Sequence, residues 1–383
     1  MAECAERERF ISSNSPYLRF WNRFSWKHNF PLSTILRKSN LQTIVRQPLS
    51  NTHSACRSLI QKAVRRGDLS LTRKVASHLR EIGDGNWLAR RTAVITFEEC
   101  WPLGADLDLS TEFTNTLNSL LRAAQSVKIK DATGLGTLAY TLSKGDDSVL
   151  SGSCKDRDIK IVSEAIKRPN DFWDWVTANC SQERQRTLVD VAQKAHRRGG
   201  WPWDRAFMQA AAYLAVTENI PTVPTTEQQS KEFPLWVALD KHTPQGKQAL
   251  RQAAKRIGVP SDQLFWVSFY FESALTDEAT DSFWWSKEVH WRLHQVGLDF
   301  DQASLIWDKA QPVVSEILTV EVEHLREHIK PPIPVQLSLF DQSCFVSENE
   351  QPIFSEETSK IEPNNPLQET ENSLDYLQLK LFE

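Results

Sequence analysis

From about residue 55 to 330, apolar side chains recur at spacings of three and four, and alternating runs rich in Val and Ile are scarce. That periodicity predicts helices over 54–66, 68–82, 85–101, 111–127, 157–168, 170–178, 181–197, 203–217, 245–257, 261–275, 281–296, 299–308 and 310–329. The expected fold class is therefore all-α. Ser54, Asp84, Ser110, Asp156, Ser181 and Ser261 stand where N-caps are needed, because their short side-chain oxygens can accept from the free amides of a first turn. Gly67, Gly199-Gly200 and Gly258 stand where helices should stop.

Two changes of pattern divide the chain. The polar, proline-punctuated stretch after Glu218, with Pro221 and Pro224, marks a weak boundary between a helical domain over 51–220 and a second helical subdomain over 231–330. At Pro331-Pro332-Ile333-Pro334 the sustained helical face ends. The remainder, 331–383, is rich in Ser, Asn, Gln and Pro and reads as a disordered acidic tail. The first fifty residues form a separate arm in which Phe10, Tyr17, Phe20, Trp21, Phe24, Trp26 and Phe30 alternate with Arg19, Arg23 and Lys27. Such interleaving suits base stacking beside phosphate contacts, but rings that pack onto the body while their charges stay wet explain it more simply.

Charge reinforces this division. The overall net charge of -4 hides a basic end, where residues 1–66 hold twelve Lys/Arg against three Glu, and an acidic one, where 331–383 hold two Lys against ten Asp/Glu. The six cysteines (Cys4, Cys56, Cys100, Cys154, Cys180, Cys344) are dispersed and lack C-x-x-C spacing, which suggests neither a zinc site nor a disulfide framework. No signal-peptide core and no window of membrane-span length stands out. A soluble protein of a reducing cytoplasm is expected.

The tail carries two compact apolar clusters, Gln336-Leu337-Ser338-Leu339-Phe340 and Leu377-Gln378-Leu379-Lys380-Leu381-Phe382-Glu383. Hydrophobes in a segment that builds no core need another reason to be there. The first cluster resembles, at every position, the Q-L-[S/D]-L-F peptide by which bacterial polymerases, repair proteins and clamp-loader subunits dock on the β sliding clamp of DNA polymerase III. At average residue frequencies such a pentapeptide arises by chance in a chain this long less than roughly once in a thousand. The resemblance implies that Leu339 and Phe340 fill the clamp's hydrophobic pocket, Leu337 rests on its rim and Gln336 hydrogen-bonds in a polar subsite. In the second cluster Gln378, Leu379, Leu381 and Phe382 follow the pattern, while Lys380 departs from it at the third position. A flexible linker between Gln336 and Gln378 spans about 35 Å root-mean-square, so the two peptides could engage both pockets of a dimeric ring.

A second resemblance lies in the body. Ser58-Leu59-Ile60-Gln61-Lys62-Ala63-Val64-Arg65-Arg66-Gly67-Asp68, then Trp87-Leu88-Ala89-Arg90-Arg91 and Phe97-Glu98-Glu99-Cys100-Trp101-Pro102-Leu103-Gly104, look like the C-terminal helical region of RarA/MgsA-type ATPases, a relative of the clamp-loader collar. It extends in patches through Met208-Gln209-Ala210-Ala211-Ala212-Tyr213-Leu214-Ala215. The resemblance implies a helical scaffold that oligomerises or docks on clamp-loader and other replisome proteins. The ATPase module of that family has no counterpart, because no G-x-x-x-x-G-K-[ST] exists to cradle phosphates. Gln61, Lys62, Arg65, Arg66, Arg90 and Arg91 could present a basic face to DNA, although solvated helix charges with local ion pairs are the preferred reading.

Catalytic signals are weak. His324-Leu325-Arg326-Glu327-His328 matches H-x-x-E-H, whose histidines one turn apart can hold zinc beside a glutamate base, but only tail follows it to supply a third ligand. His290 and His294 share that spacing among tryptophans and read as a packed helix face. Asp106, Asp108, Asp146 and Asp147 read as caps and loop acids, and the tryptophan pairs Trp173/Trp175, Trp201/Trp203 and Trp284/Trp285 as core. The expectation is a non-enzymatic replication or repair accessory protein, with no cofactor and no metal, that binds the sliding clamp in the cytoplasm at the nucleoid or replisome. The alternative is a DNA-binding replication or recombination factor that uses its basic aromatic N-terminal region.

Overall fold

The computed structural model describes residues 52–225, 234–274 and 282–329. Among these residues the fold is all-α, with fourteen α-helices and two isolated bridges in place of any sheet. In chain order they are α1 (Thr52–Arg65), α2 (Leu69–Glu81), α3 (Gly85–Cys100), α4 (Phe113–Gln125), α5 (Asp131–Ser143), α6 (Asp156–Lys167), α7 (Pro169–Ala178), α8 (Glu183–Arg198) and α9 (Pro202–Thr217). Beyond residue 234 come α10 (Pro244–Ile257), α11 (Ser261–Ser268), α12 (Phe283–Gln295), α13 (Phe300–Ile317) and α14 (Thr319–His328). None of the described helices is long and apolar enough to cross a membrane.

One helix was not among those expected. α5 packs against α6, α9 and α12 and has Ala132, Leu135, Leu138 and Ala139 fully buried, yet Gly134, Gly136, Thr133 and Thr137 dilute its periodicity. The glycine at 134 has a tertiary purpose: a methyl group there would run into the backbone of Trp284 at the start of α12. A residue that is poor for an isolated helix is required for two helices to touch. The expected break near residue 309 is also displaced. α13 runs through Pro312 to Ile317, because Ala303, Trp307, Ala310 and Val314 bury one continuous stripe, and the chain turns at Leu318 instead.

The expected caps are corrected by side-chain competition. Asp84 occupies the N-cap position of α3, but its carboxylate accepts from Arg57 at 2.6 and 2.9 Å rather than from the helix. Ser54 lies inside α1, and Asp156 is the first residue of α6, bonded to the Ser151 and Gly152 amides and to Lys287. Glu112, Gln182 and Pro260 take the cap positions assigned to Ser110, Ser181 and Ser261. At α8 this is favoured by Gln185, whose oxygen accepts the amides of both Ser181 and Gln182 at 3.0 Å. Gly67 and Gly258 do end helices, each with positive φ.

The buried apolar residues form two clusters that do not follow chain order. One joins α1, α2 and α4 to the segment 235–239 and to α10, α11, α13 and α14; the other gathers α5 to α9. α3 and α12 are shared walls. Leu88, Ile95 and Cys100 face the first cluster while Val94, Phe97 and Trp101 face the second, and Trp285 and Val289 oppose Trp284 and Trp291 in the same way. Most of the described tryptophans are thus core, as expected; Trp201 is not. Cys56 and Cys100 are buried free thiols.

Candidate functional site: tail peptides and a buried ionic network

The residues with the most specific sequence signal, Gln336, Leu337, Ser338, Leu339 and Phe340 with Gln378, Leu379, Leu381 and Phe382, lie outside the described residues, as does the aromatic arm 1–50. Within the described body, the largest departure from an ordinary helical core is a set of charges buried where the two clusters meet.

The network begins on α1. Gln61, Lys62 and Arg65 leave one face of that helix, and α3 answers with Arg91, Glu98 and Glu99. The Arg65 guanidinium is 2% exposed and donates to Glu99 at 2.7 Å and to Glu98 at 2.9 Å. Gln61 donates to Glu98 at 2.5 Å, and Arg91 donates to Gln61 at 3.3 Å and to Asp204 of α9 at 2.8 Å. After α4 the chain runs extended beside the end of α3, with the Ile129 amide donating to the Glu99 carbonyl at 3.0 Å. This places Lys130, which is fully buried, with its ammonium 3.1 Å from Glu99 and 4.4 Å from the centre of the Trp285 ring. Two residues earlier, Lys128 donates to the Ala123 and Ala124 carbonyls at 2.9 and 3.1 Å and so caps α4.

A second arm of the network reaches the other half of the chain. Lys62 donates to Asp240 at 2.5 Å, and His242 stands 3.1 Å from the same carboxylate oxygen. Gly246 at the start of α10 permits this, since a methyl there would collide with the Leu239 and Asp240 carbonyls. Burial pushes the Asp240 carboxyl up, but Lys62 and His242 outweigh it and hold it far below the usual carboxylate range. Burial likewise opposes ionisation of Glu99, and Arg65 followed by Lys130 reverses the balance. Lys62, Arg65, Arg91 and Lys130 thus match Glu98, Glu99, Asp204 and Asp240 one for one.

This corrects both readings of the α1 and α3 bases. Lys62 and Arg65 offer no face to DNA, and they are not solvated helix charges either; each is desolvated and neutralised inside the protein. Arg66 is held by Glu272 of the π-turn Phe269–Ala274, and only Arg90 of that set points outward. The signal for burial was present in Glu98-Glu99 set within Val94-Ile95-Thr96-Phe97 and Cys100-Trp101: two carboxylates in an apolar run demand cations. What no pattern indicated was that Arg65 and Lys130 would supply them, while Lys62 goes to Asp240.

Next to the network, Tyr270 donates to Glu288 of α12 at 2.5 Å. Burial drives the Glu288 carboxyl up to about 7, although Tyr270, Arg292, Lys241 and Lys130 all favour its ionised form. Lys241 sits over the faces of Trp266 and Phe269, at 3.1 and 4.1 Å from their centres.

The remaining sequence candidates have local partners. His328 Nδ1 contacts the His324 carbonyl at 2.7 Å on exposed α14, and among the described residues no group of three or more His, Cys, Asp or Glu is placed to hold a metal. His290 and His294 are exposed, so the packed face of α12 is carried by Trp284, Trp285, Glu288, Val289, Trp291 and Leu293 instead. Asp106 pairs with Arg122 at 2.9 Å, Asp108 accepts from Asn115 at 2.7 Å, and Asp146 caps the short turn Asp147–Val149. No protein-family model matches the chain, and no curated protein or solved structure matches it.

Proposed function

We propose that this protein is a non-enzymatic accessory factor of bacterial DNA replication or repair that docks on the β sliding clamp of DNA polymerase III through Gln336-Leu337-Ser338-Leu339-Phe340. The observation that carries the reading is the pentapeptide itself, which meets the clamp-binding pattern at every position and follows Pro331-Pro332-Ile333-Pro334 directly after the last described helix. Leu339 and Phe340 supply the anchor that a short extended peptide needs, because affinity in such complexes comes from a few fully desolvated side chains. Gln378, Leu379, Leu381 and Phe382 form a second, weaker peptide that raises residence on a two-pocket ring. On this reading the helical body is a scaffold working at the replisome, either recruiting a partner to the clamp or competing with polymerase and clamp loader for its pocket.

Support from the body is indirect: Lys62, Arg65 and Arg91, the bases of α1 and α3 that could have faced DNA, are consumed by carboxylates. Surface plasmon resonance of the full chain on immobilised clamp tests the proposal. Leu339→Ala with Phe340→Ala should weaken binding at least about 30-fold, the effect of losing a hot-spot anchor of about 2 kcal/mol. Leu381→Ala with Phe382→Ala should mainly quicken dissociation. Unchanged affinity in both variants removes the central claim.

A further inference from the structure

The corner between α8 and α9 brings together an exposed indole and exposed cations. Trp201 is 70% exposed although most described tryptophans are buried, and it stands on the sequence Arg197-Arg198-Gly199-Gly200-Trp201-Pro202-Trp203-Asp204-Arg205. Arg197 and Arg198 are exposed at the C-terminal end of α8, where the helix dipole favours cations. Arg205 is exposed in the first turn of α9, where the dipole opposes them. The neighbouring acid does not offset it, because Asp204 is buried against Arg91.

We propose that this corner binds single-stranded nucleic acid, with the Trp201 indole as a base-stacking platform and Arg197, Arg198 and Arg205 as phosphate contacts. The site is held in shape. Arg205 Nε donates to the Gly199 carbonyl at 3.0 Å and its amide to the Trp201 carbonyl at 3.3 Å, while Arg198 donates to the Leu109 carbonyl at 2.9 Å. Each of these bonds leaves further N–H groups of the guanidinium for a ligand. Around Gly200 a side chain would meet nothing within 4 Å, so a sugar-phosphate backbone can approach the peptide there. Two residues beyond Trp201, the half-buried Trp203 lies 4.4 Å from Tyr140, and Lys144 stands 5.2 Å over Tyr140, which continues the alternation of rings and cations along α5.

Charge at the corner is strong enough to be felt inside. Burial first, then Arg205 and Arg197, hold the His196 imidazole down at about 4, so it stays neutral and packs edge-on to Trp173 at 5.3 Å. An exposed indole on a corner that also carries three exposed arginines matches a base flanked by phosphates better than an acidic peptide, which would satisfy the cations and leave the ring face in water. The inference stands apart from clamp binding: it concerns a different surface and a different ligand.

The test is fluorescence anisotropy of the full chain with 5′-fluorescein-labelled dT20 at about 50 and 200 mM salt. Trp201→Ala should weaken binding about 5- to 150-fold, Trp201→Phe should retain most of the affinity, and thermal melting should be unchanged because the ring is exposed. Arg197→Gln with Arg205→Gln should lower the slope of log affinity against log salt by about 1.4. Clamp affinity should be unaltered in all three. The proposal is overturned if the wild-type chain fails to bind dT20 at the lower salt, or if Trp201→Ala and the double arginine variant bind as wild type. It is equally overturned if a polyglutamate peptide, and not dT20, shows Trp201-dependent binding.

Discussion

Replacing Glu99 with glutamine strands the buried Lys130 ammonium. Glu99 is fully buried and accepts from Arg65 at 2.7 Å and Lys130 at 3.1 Å; Arg65 keeps Glu98, but Lys130 keeps only the Trp285 face and a more distant carboxylate. Breaking a buried pair from one side costs about 3–5 kcal/mol. An independent bound agrees with this: Lys130 can escape by giving up its proton, and doing so at pH 7, when the unfolded chain holds that proton to about pH 10.4, costs about 4.6 kcal/mol. For a body of this size each kcal/mol corresponds to about 2–4 °C, so Tm should fall by about 6–20 °C. Thermal and urea unfolding followed by tryptophan fluorescence reads the change. Adding Lys130→Met to Glu99→Gln removes the stranded charge and should recover part of the loss. The wild-type carboxyl is held below its unfolded value, so its contribution is present above about pH 4.3, disappears as pH falls through the folded value, and is absent from Glu99→Gln. A Glu99→Gln protein within about 1 kcal/mol of wild type, or a further loss on adding Lys130→Met, refutes the ionic account.

Two other perturbations probe the same interior. Glu288 is the opposite case: its folded pKa is raised to about 7, so the folded state binds the extra proton and stability should decline as pH rises from about 4.5 to 7. Glu288→Gln should flatten that part of the stability–pH curve and leave the protein more stable than wild type at pH 8, by up to about 3 kcal/mol in denaturant titrations. Gly134→Ala, a change that normally favours a helix by about 1 kcal/mol, should instead destabilise by about 1–3 kcal/mol, because α5 and α12 must separate to admit the methyl group; calorimetry decides the sign.

The features most legible in the sequence were those that depend on local periodicity or on a contiguous peptide. α1, α8 and α10 announce themselves because an amphipathic stripe is written every three or four residues, whatever the rest of the chain does. The peptide proposed to bind the clamp is legible for the same reason: a contiguous motif needs no fold to assemble it. α5 was hidden, since its glycines and threonines weaken a local pattern in order to serve contacts with Ala206 and Trp284, far away in the chain. The N-caps failed where the oxygen that should cap had a stronger distant partner, as Asp84 has in Arg57.

The sequence alone determined that this chain is a bundle of helices with oppositely charged ends and compact apolar clusters near its C-terminal end, because composition and periodicity are properties of neighbours. Only the tertiary structure decided the fate of its charges. Lys62 and Arg65 read as surface bases from their neighbours, yet α3, the 126–130 segment and Asp240 close over them and turn an apparent DNA-facing stripe into an internal ionic clasp. Trp201 went the other way and was left in water beside three arginines. Whether a charge or a ring is inside depends on what packs over it, and that cover comes from residues remote in the chain.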